Sequence, residues 1–274
     1  MTTSWSPSLS KITRPTVSDI LQRERLFLTL DEARNGSVTW LCAPAGSGKT
    51  PLAASWLGSR KLPCLWYQVD EGDGDLATFF YYMGLAGKKA APKHKKSLPL
   101  LTPEYLLGIP AFTRRYFEDL YSRLTPHPSF IPPWQGGKEG GAKGGFTIVL
   151  DNYQDAPGPA FHEMTAHALE VVPEGVNVVI ISRAEPPPQF SRLRAGRKMR
   201  IIGWNEIRLT IEETQKMLEG EGCRLSDEAL TALQYKTDGW AAGLVLMMEK
   251  ARRGELETNA KLKTQGEMFD YFAN

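Results

Sequence analysis

The sequence predicts an α/β fold: a parallel sheet flanked by helices, followed by a small helical unit. Between residues 37 and 202, short apolar runs alternate with segments of helical period, and from Thr210 onward the pattern is helical throughout. Strands that alternate with helices need crossover connections, and such connections make a sheet parallel. A third observation fixes the first turn of the fold. The apolar run Val38-Thr39-Trp40-Leu41-Cys42 leads directly into Ala43-Pro44-Ala45-Gly46-Ser47-Gly48-Lys49-Thr50.

Taken in order, residues 1–17 read as an extended arm carrying Pro7 and Pro15. Ile20 to Ala33 is expected to be a helix, with Leu26, Leu30 and Ala33 on its apolar face. The first core strand is 37–43; its loop and helix fill 44–59, the helix running from Pro51 with Leu52, Trp56 and Leu57 to one side. A second strand, 64–69, ends in the acidic run Asp70, Glu71, Asp73 and Asp75, before a helix at about 76–86. Residues 87–103 are basic and carry proline, which predicts a solvated loop. Pro110 to Leu124 returns to helix. Thr125 to Gly145, with Pro132-Pro133-Trp134 and Gly-Gly pairs, is a low-complexity insertion too poor in apolar residues to build a core. A strand at 146–151 ending in Asp151, a helix at 159–172, and strands at 176–182 and 200–202 complete the alternation. Helices are expected at 210–219, 226–236 and 239–252; Thr210 with Glu213 fits a capping box, and Ser226 an N-cap. The chain thus divides into an arm (1–17), an α/β domain (18–209) and a helical unit (210–274).

Composition narrows the function classes. With 274 residues, 42% hydrophobic, the chain can bury one sizeable core, or one large core and a small one. A formal net charge of +2 demands neither a nucleic-acid nor a membrane partner. Met1 to Pro15 has no apolar stretch of the signal-peptide kind, and no apolar run approaches membrane-spanning length. Three cysteines, Cys42, Cys64 and Cys223, show no metal-ligand spacing, and Cys42 and Cys64 in apolar runs read as small core residues. This is the usage of a reducing cytoplasm. His162 and His167 lie at i,i+5 on one expected helix and do not face together, which argues against a histidine metal site.

The segment 43–50 has the pattern [AG]-x-x-x-x-G-K-[ST]. Gly46 and Gly48 lack a Cβ, so the backbone can turn the N–H groups of Ala45, Gly46, Ser47 and Gly48 toward a polyphosphate. Lys49 supplies a cation to the β and γ phosphates, and Thr50 offers a hydroxyl to Mg²⁺. The alternative is a Gly/Ser turn that happens to hold a lysine; the strand before it and the helix after it favour nucleotide binding. Pro51 stands where such loops contribute one further backbone N–H, and proline has none. Weakened nucleotide affinity is therefore expected. Asp151, at the end of its strand, is the expected metal partner of Thr50. The next residue is Asn152, where many ATPases place the acid that activates water. An amide cannot accept that proton, so hydrolysis should be slow unless Asp70, Glu71 or Asp155 substitutes. Arg183, after the strand 178–182, either reaches a γ phosphate or lies exposed on a loop before Pro186-Pro187-Pro188.

With these motifs in order, the chain resembles the nucleotide-binding domain of MalT-like, large LuxR-type bacterial regulators. These are signal-transducing ATPases with numerous domains (STAND), a class of P-loop NTPase. The resemblance covers about residues 8–274 apart from the insertion. It rests on Ser10-Lys11, Arg14-Pro15, Arg23-Glu24-Arg25-Leu26, the 43–50 loop, Trp66 and Val69-Asp70-Glu71-Gly72-Asp73. It continues through Leu150-Asp151-Asn152-Tyr153, Ile181-Ser182-Arg183, Arg192-Leu193-Arg194 and Asp238-Gly239-Trp240-Ala241-Ala242-Gly243-Leu244. It implies a cytoplasmic ATP/ADP switch that self-associates once an inducer and ATP open it. It also implies that Arg183 senses the γ phosphate, that Gly239-Trp240 packs on the adenine side, and that Arg23 or Arg25 approaches the base. Asn152, Gln154 and Pro51 depart from the family pattern and bear on turnover more than on binding. Phe269-Asp270-Tyr271-Phe272 resembles the opening of a winged-helix-like domain, and no DNA-reading element is visible, so direct DNA binding by this chain is not expected. Two other readings stand beside the switch. One is a small-molecule phosphotransferase with Arg192, Arg194 and Arg197 as a lid; the other is an interaction module that has lost its nucleotide.

Overall fold

A computed structural model describes residues 10–18, 20–125, 145–156 and 158–253. The expectations for residues 1–9, for 126–144 within the insertion and for 254–274 lie outside the described residues.

Five strands form one sheet: β1 (Val38–Cys42), β2 (Cys64–Gln68), β3 (Phe146–Asp151), β4 (Val176–Ser182) and β5 (Met199–Ile202), in the order β2-β3-β4-β1-β5. Every pairing is parallel, as the alternation of strands and helices predicts. β3 and β4 are buried along their whole length, which is why they read as mostly apolar runs. The order places β4 between β1, which feeds the glycine loop, and β3, which ends in Asp151. The C-terminal ends of these three strands therefore open onto one crevice, where open α/β sheets bind ligands.

Side chains alternate across the sheet with period two and sort into two cores. Val38, Trp40, Ile148, Leu150, Val178 and Ile180 face α3 (Leu76–Ala90), α4 (Ile109–Leu124) and α5 (Gly158–Glu170). That core is aromatic: the Phe79 and Phe161 rings meet edge to face at 5.1 Å, and Phe80 meets Phe112 at 4.9 Å. Leu41, Val149, Val179 and Ile181 face α1 (Glu24–Ala33) and α2 (Lys49–Ser59). There the fully buried Trp56 donates its indole N–H to Asp31 at 2.9 Å. Two short helices, α6 (Ser191–Ala195) and α7 (Trp204–Ile207), flank β5. They lead to α8 (Ile211–Gly220), α9 (Asp227–Thr237) and α10 (Ala241–Arg253), whose own core is Leu209, Leu218, Leu230 and Leu244. The expected capping box closes α8: Glu213 N–H donates to Thr210 Oγ1 at 3.2 Å, and Thr210 N–H to Glu213 Oε2 at 3.1 Å.

Several boundaries differ from the sequence reading. α1 begins at Glu24 rather than Ile20: Arg23, whose guanidinium is held by Glu213, has non-helical backbone angles (φ −95°, ψ 74°). α2 begins at Lys49, inside the glycine loop, and α3 runs on to Ala90. α10 begins at Ala241 because Asp238 and Gly239 adopt left-handed backbone angles that end α9. Cys42 and Cys64 are half-buried rather than core residues. Of the acidic run after β2, Asp73 is turned fully inward. It accepts from Tyr67 Oη at 2.7 Å and Lys11 Nζ at 3.0 Å, so the arm is strapped to the edge strand.

Candidate functional site

The crevice is built from the loop upward. Gly46 and Gly48 adopt φ of +68° and +83°, angles that a side chain would strain. Gly48 is also the N-cap of α2, so the loop feeds straight into a helix N-terminus. Lys49 is 7% exposed and folds back on its own loop, donating to Ala43 O at 2.6 Å, Pro44 O at 2.8 Å and Ser47 Oγ at 3.2 Å. Burial, reinforced by the nearby Arg183 guanidinium, lowers its pKa to about 8. Thr50 donates its hydroxyl to both oxygens of Asp151, at 2.9 and 3.1 Å. Burial raises the Asp151 carboxyl pKa, opposed by the Thr50 hydroxyl, the Asn152 N–H and Lys49.

Beside the loop lies a cavity of about 420 Å³ lined by Ala45 to Pro51, Asn152, Gln154 and Arg183, and closed by Ala241, Ala242 and Val245 of α10. Its lining carries two cations, Lys49 and Arg183, and two amides, but no carboxylate. Neither Asp70, Glu71 nor Asp155 is among its lining residues. The Asp70 carboxylate caps the turn at 71–74 and pairs with Lys11. Gln154 was noted in the sequence only as a departure, yet it reaches both polar sides of the cavity. Its Oε1 accepts the Arg183 backbone N–H at 3.1 Å, which leaves the buried Nε2 as a donor with no hydrogen-bond partner among the described residues. Arg192, the head of the proposed lid, instead pairs with Glu170 at 3.4 Å, and none of Arg192, Arg194 and Arg197 lines the cavity.

A second cavity, of about 440 Å³, shares Ser47, Gly48, Pro51 and Ala241 with the first. Its walls are mainly apolar, from Ile20, Leu21, Leu52, Leu209 and Met217. Arg23 lines it; Arg25 does not. Both guanidinium groups are already engaged: Arg23 with Glu213 at 2.7 Å and Arg208 O at 2.9 Å, Arg25 with Glu206 O at 2.9 Å and Glu213 at 3.2 Å. Of the two arginines that the resemblance offers for a base, Arg23 is therefore the one beside this cavity. Both clamp α8 to α1.

Gly239 and Trp240 bring the helical unit onto the loop itself. Trp240 Nε1 donates to Ala45 O at 2.7 Å, and Ala242 N–H to Gly46 O at 3.0 Å. A Cβ on Gly46 would stand 2.5 Å from Ala242 Cβ. At Gly239, where φ is +72°, a Cβ would lie 2.4 Å from Leu209 O, so only glycine allows this approach. Ala242, quoted in the sequence only as part of the 238–244 motif, carries no side-chain chemistry; its contribution is a backbone N–H.

No family model matches this sequence. It is 28% identical, over 251 residues and 89% of this chain, to the HTH-type transcriptional regulator MalT of Cronobacter sakazakii (strain ATCC BAA-894). The chain spans about a quarter of that relative's length, 25%. Among solved structures, the Walker-type ATPase PABY2304 of Pyrococcus abyssi superposes with a TM-score of 0.50 at 14% identity, over 93% of this chain and 71% of that one. Among the described residues, no helix is long and apolar enough to cross a membrane. The chain therefore shares the fold of that Walker-type ATPase, and in sequence it is similar to a MalT regulator across 89% of its own length.

Proposed function

We propose that this chain is the nucleotide-dependent switch module of a cytoplasmic MalT-like regulator: it holds ADP or ATP with Mg²⁺, turns ATP over slowly at most, and self-associates when an inducer favours the ATP form. The observation that carries the reading is the Thr50 hydroxyl on the Asp151 carboxylate beneath a left-handed glycine loop. A hydroxyl and a carboxylate are hard oxygen donors suited to Mg²⁺, and the loop leaves room only for glycine at Gly46. The residues present fit the group. Thr50 and Asp151 would hold the metal, Ala45 to Thr50 the phosphates, and the apolar cavity beside Pro51 the base. The bound metal would neutralise phosphate charge.

Slow turnover follows from the lining. A water held by Asn152 and Gln154 has amides for neighbours, and an amide takes no proton near neutral pH. Arg183 brings a guanidinium to this lining, a cation suited to meeting a third phosphate and not to general-base work. Pro51 favours a second reading, an interaction module without nucleotide, because it removes a loop donor. Calorimetry with MgADP and MgATP, together with identification of any nucleotide released on denaturation, separates the two. Both nucleotides should bind, with phosphate release slower than about one per minute. No heat at saturating nucleotide, with none released, would establish the module reading instead.

A further inference from the structure

The basic segment after α3 is more than a solvated loop. From Leu76 to Pro103 the sequence contains no Asp or Glu, while Lys88, Lys89, Lys93, Lys95 and Lys96 concentrate between positions 88 and 96. The structure folds this segment around a cleft of about 240 Å³ between the C-terminal half of α3 and residues 94–100. The floor is apolar, from Leu85, Leu98 and the faces of Gly84 and Gly87, and the rim carries Lys88, Lys95 and Lys96, all exposed. Two apolar side chains stand open at its edge, Tyr81 at 50% and Leu100 at 60% exposure. Tyr105 and the fully exposed Leu107 follow shortly after in the chain.

Leaving such apolar surface in water is unfavourable, and a patch rimmed by charge marks an interaction site. The rim is also preorganised. Arg123 donates to the Lys96 and Ser97 carbonyls and pairs with Asp119, so the lysine-bearing loop is pinned to α4. Its own charge is thereby spent, which leaves the lysines to face solvent.

We propose that this cleft docks an acidic peptide segment of a protein partner, an aliphatic or aromatic side chain entering the floor while carboxylates meet Lys88, Lys95 and Lys96. An enclosed apolar floor is of no use to a phosphate backbone, which is better served by an open stripe of cations. That contrast favours a peptide over a nucleic acid. The site borders neither of the two cavities at the glycine loop, so it would join a partner without occupying the nucleotide crevice.

The test uses the full chain and a dye-labelled octapeptide of glutamates and aspartates around a central leucine-phenylalanine pair, read by fluorescence polarisation at two salt concentrations. Saturable binding is expected, weakened about tenfold or more by Lys95→Glu with Lys96→Glu, and by a similar factor when the peptide's apolar pair becomes alanine. Leu100→Glu, also exposed, should weaken it independently. Both variants should keep the parent's thermal midpoint and its MgADP affinity. Four results would overturn the proposal: no saturation up to millimolar peptide, indifference to the lysine reversal, indifference to the apolar pair, or tighter binding of a labelled DNA oligonucleotide of equal charge.

Discussion

The sheet and the C-terminal helices are held together by different means. The sheet is sandwiched between two extensive apolar cores, one rich in rings; α8 to α10 share four buried leucines. What ties the smaller unit to the larger is polar and local: Trp240 and Ala242 on the loop carbonyls, and Glu213 between Arg23 and Arg25. The difference teaches where motion is inexpensive. Separating the helices from the sheet would break a few hydrogen bonds and ion pairs, whereas moving a strand would open a packed core. The separable bonds converge on the loop that would hold the phosphates, so whatever occupies that loop biases the position of the helices.

The largest expected effect tests the two cores against each other. Phe79→Ala empties the ring cluster and should cost about 3–5 kcal/mol in denaturant unfolding, destabilising the whole sheet. Leu218→Ala, in the small core, should cost about 2–3 kcal/mol, with its effect confined to α8, α9 and α10 in hydrogen exchange. If β1, β3 and β4 lost protection equally in the second variant, the two regions would be one cooperative unit and the comparison would fail.

The ion pair comes next. Arg23 and Glu213 side chains are only 8% and 12% exposed, so Glu213→Ala leaves a buried guanidinium unpaired, at about 3 kcal/mol. Burial by itself would raise the Glu213 pKa; the Arg23 hydrogen bond and charge, with the Thr210 N–H and Arg25, outweigh it and hold the pKa low. A depressed folded-state value means the contribution is complete above the unfolded value of about 4.3 and is lost as pH falls through the folded value. Acid below about pH 4.3 should therefore loosen α8, a loss that exchange at stepped pH would resolve. Lys49 works in the opposite direction on ligand binding. With its pKa lowered to about 8, its charge is half lost at that pH and mostly lost one unit above, so MgADP affinity should fall by about fivefold between pH 8 and 9 and continue to fall above. Calorimetry showing a flat profile would mean that Lys49 does not meet the phosphates.

How much of this was legible in the sequence depended on how local the cause was. β3 and β4 announce themselves because a strand buried on both faces is mostly apolar, and the loop because its glycines and Lys49 act within eight residues of chain. Asp151 was found because it ends such a strand. The start of α1 was not legible, and just before it Arg23 meets Glu213 across 190 positions of chain. Because of that separation the engagement of Arg23 and Arg25 by Glu213 was not legible either. Asp73 and Asp70 look alike in sequence, but only the fold shows that one is buried under Lys11 and Tyr67. The role of Ala242 is carried by its backbone, on which residue identity is silent.

The smallest effect is the most specific to the junction. Trp240→Phe keeps an aromatic ring in a position 2% exposed and removes the indole N–H that reaches Ala45 O. The Ala45 carbonyl then loses a partner, and the expected cost is about 1 kcal/mol. If the helices are the movable part, this cost should register as faster exchange in α10 and a looser hold on the loop, with the strand amides unchanged. Ala242 N–H remains on Gly46 O and should keep α10 close, so the loss ought to be partial. Gly46→Ala attacks the same junction from the loop side, since its Cβ would meet both Ala242 and Trp240, at 2.5 and 3.1 Å. Combining the two substitutions decides the matter: a double variant no worse than Gly46→Ala alone means that the added methyl has already lifted the indole away, whereas full additivity would mean that Trp240 and the loop do not act through one contact.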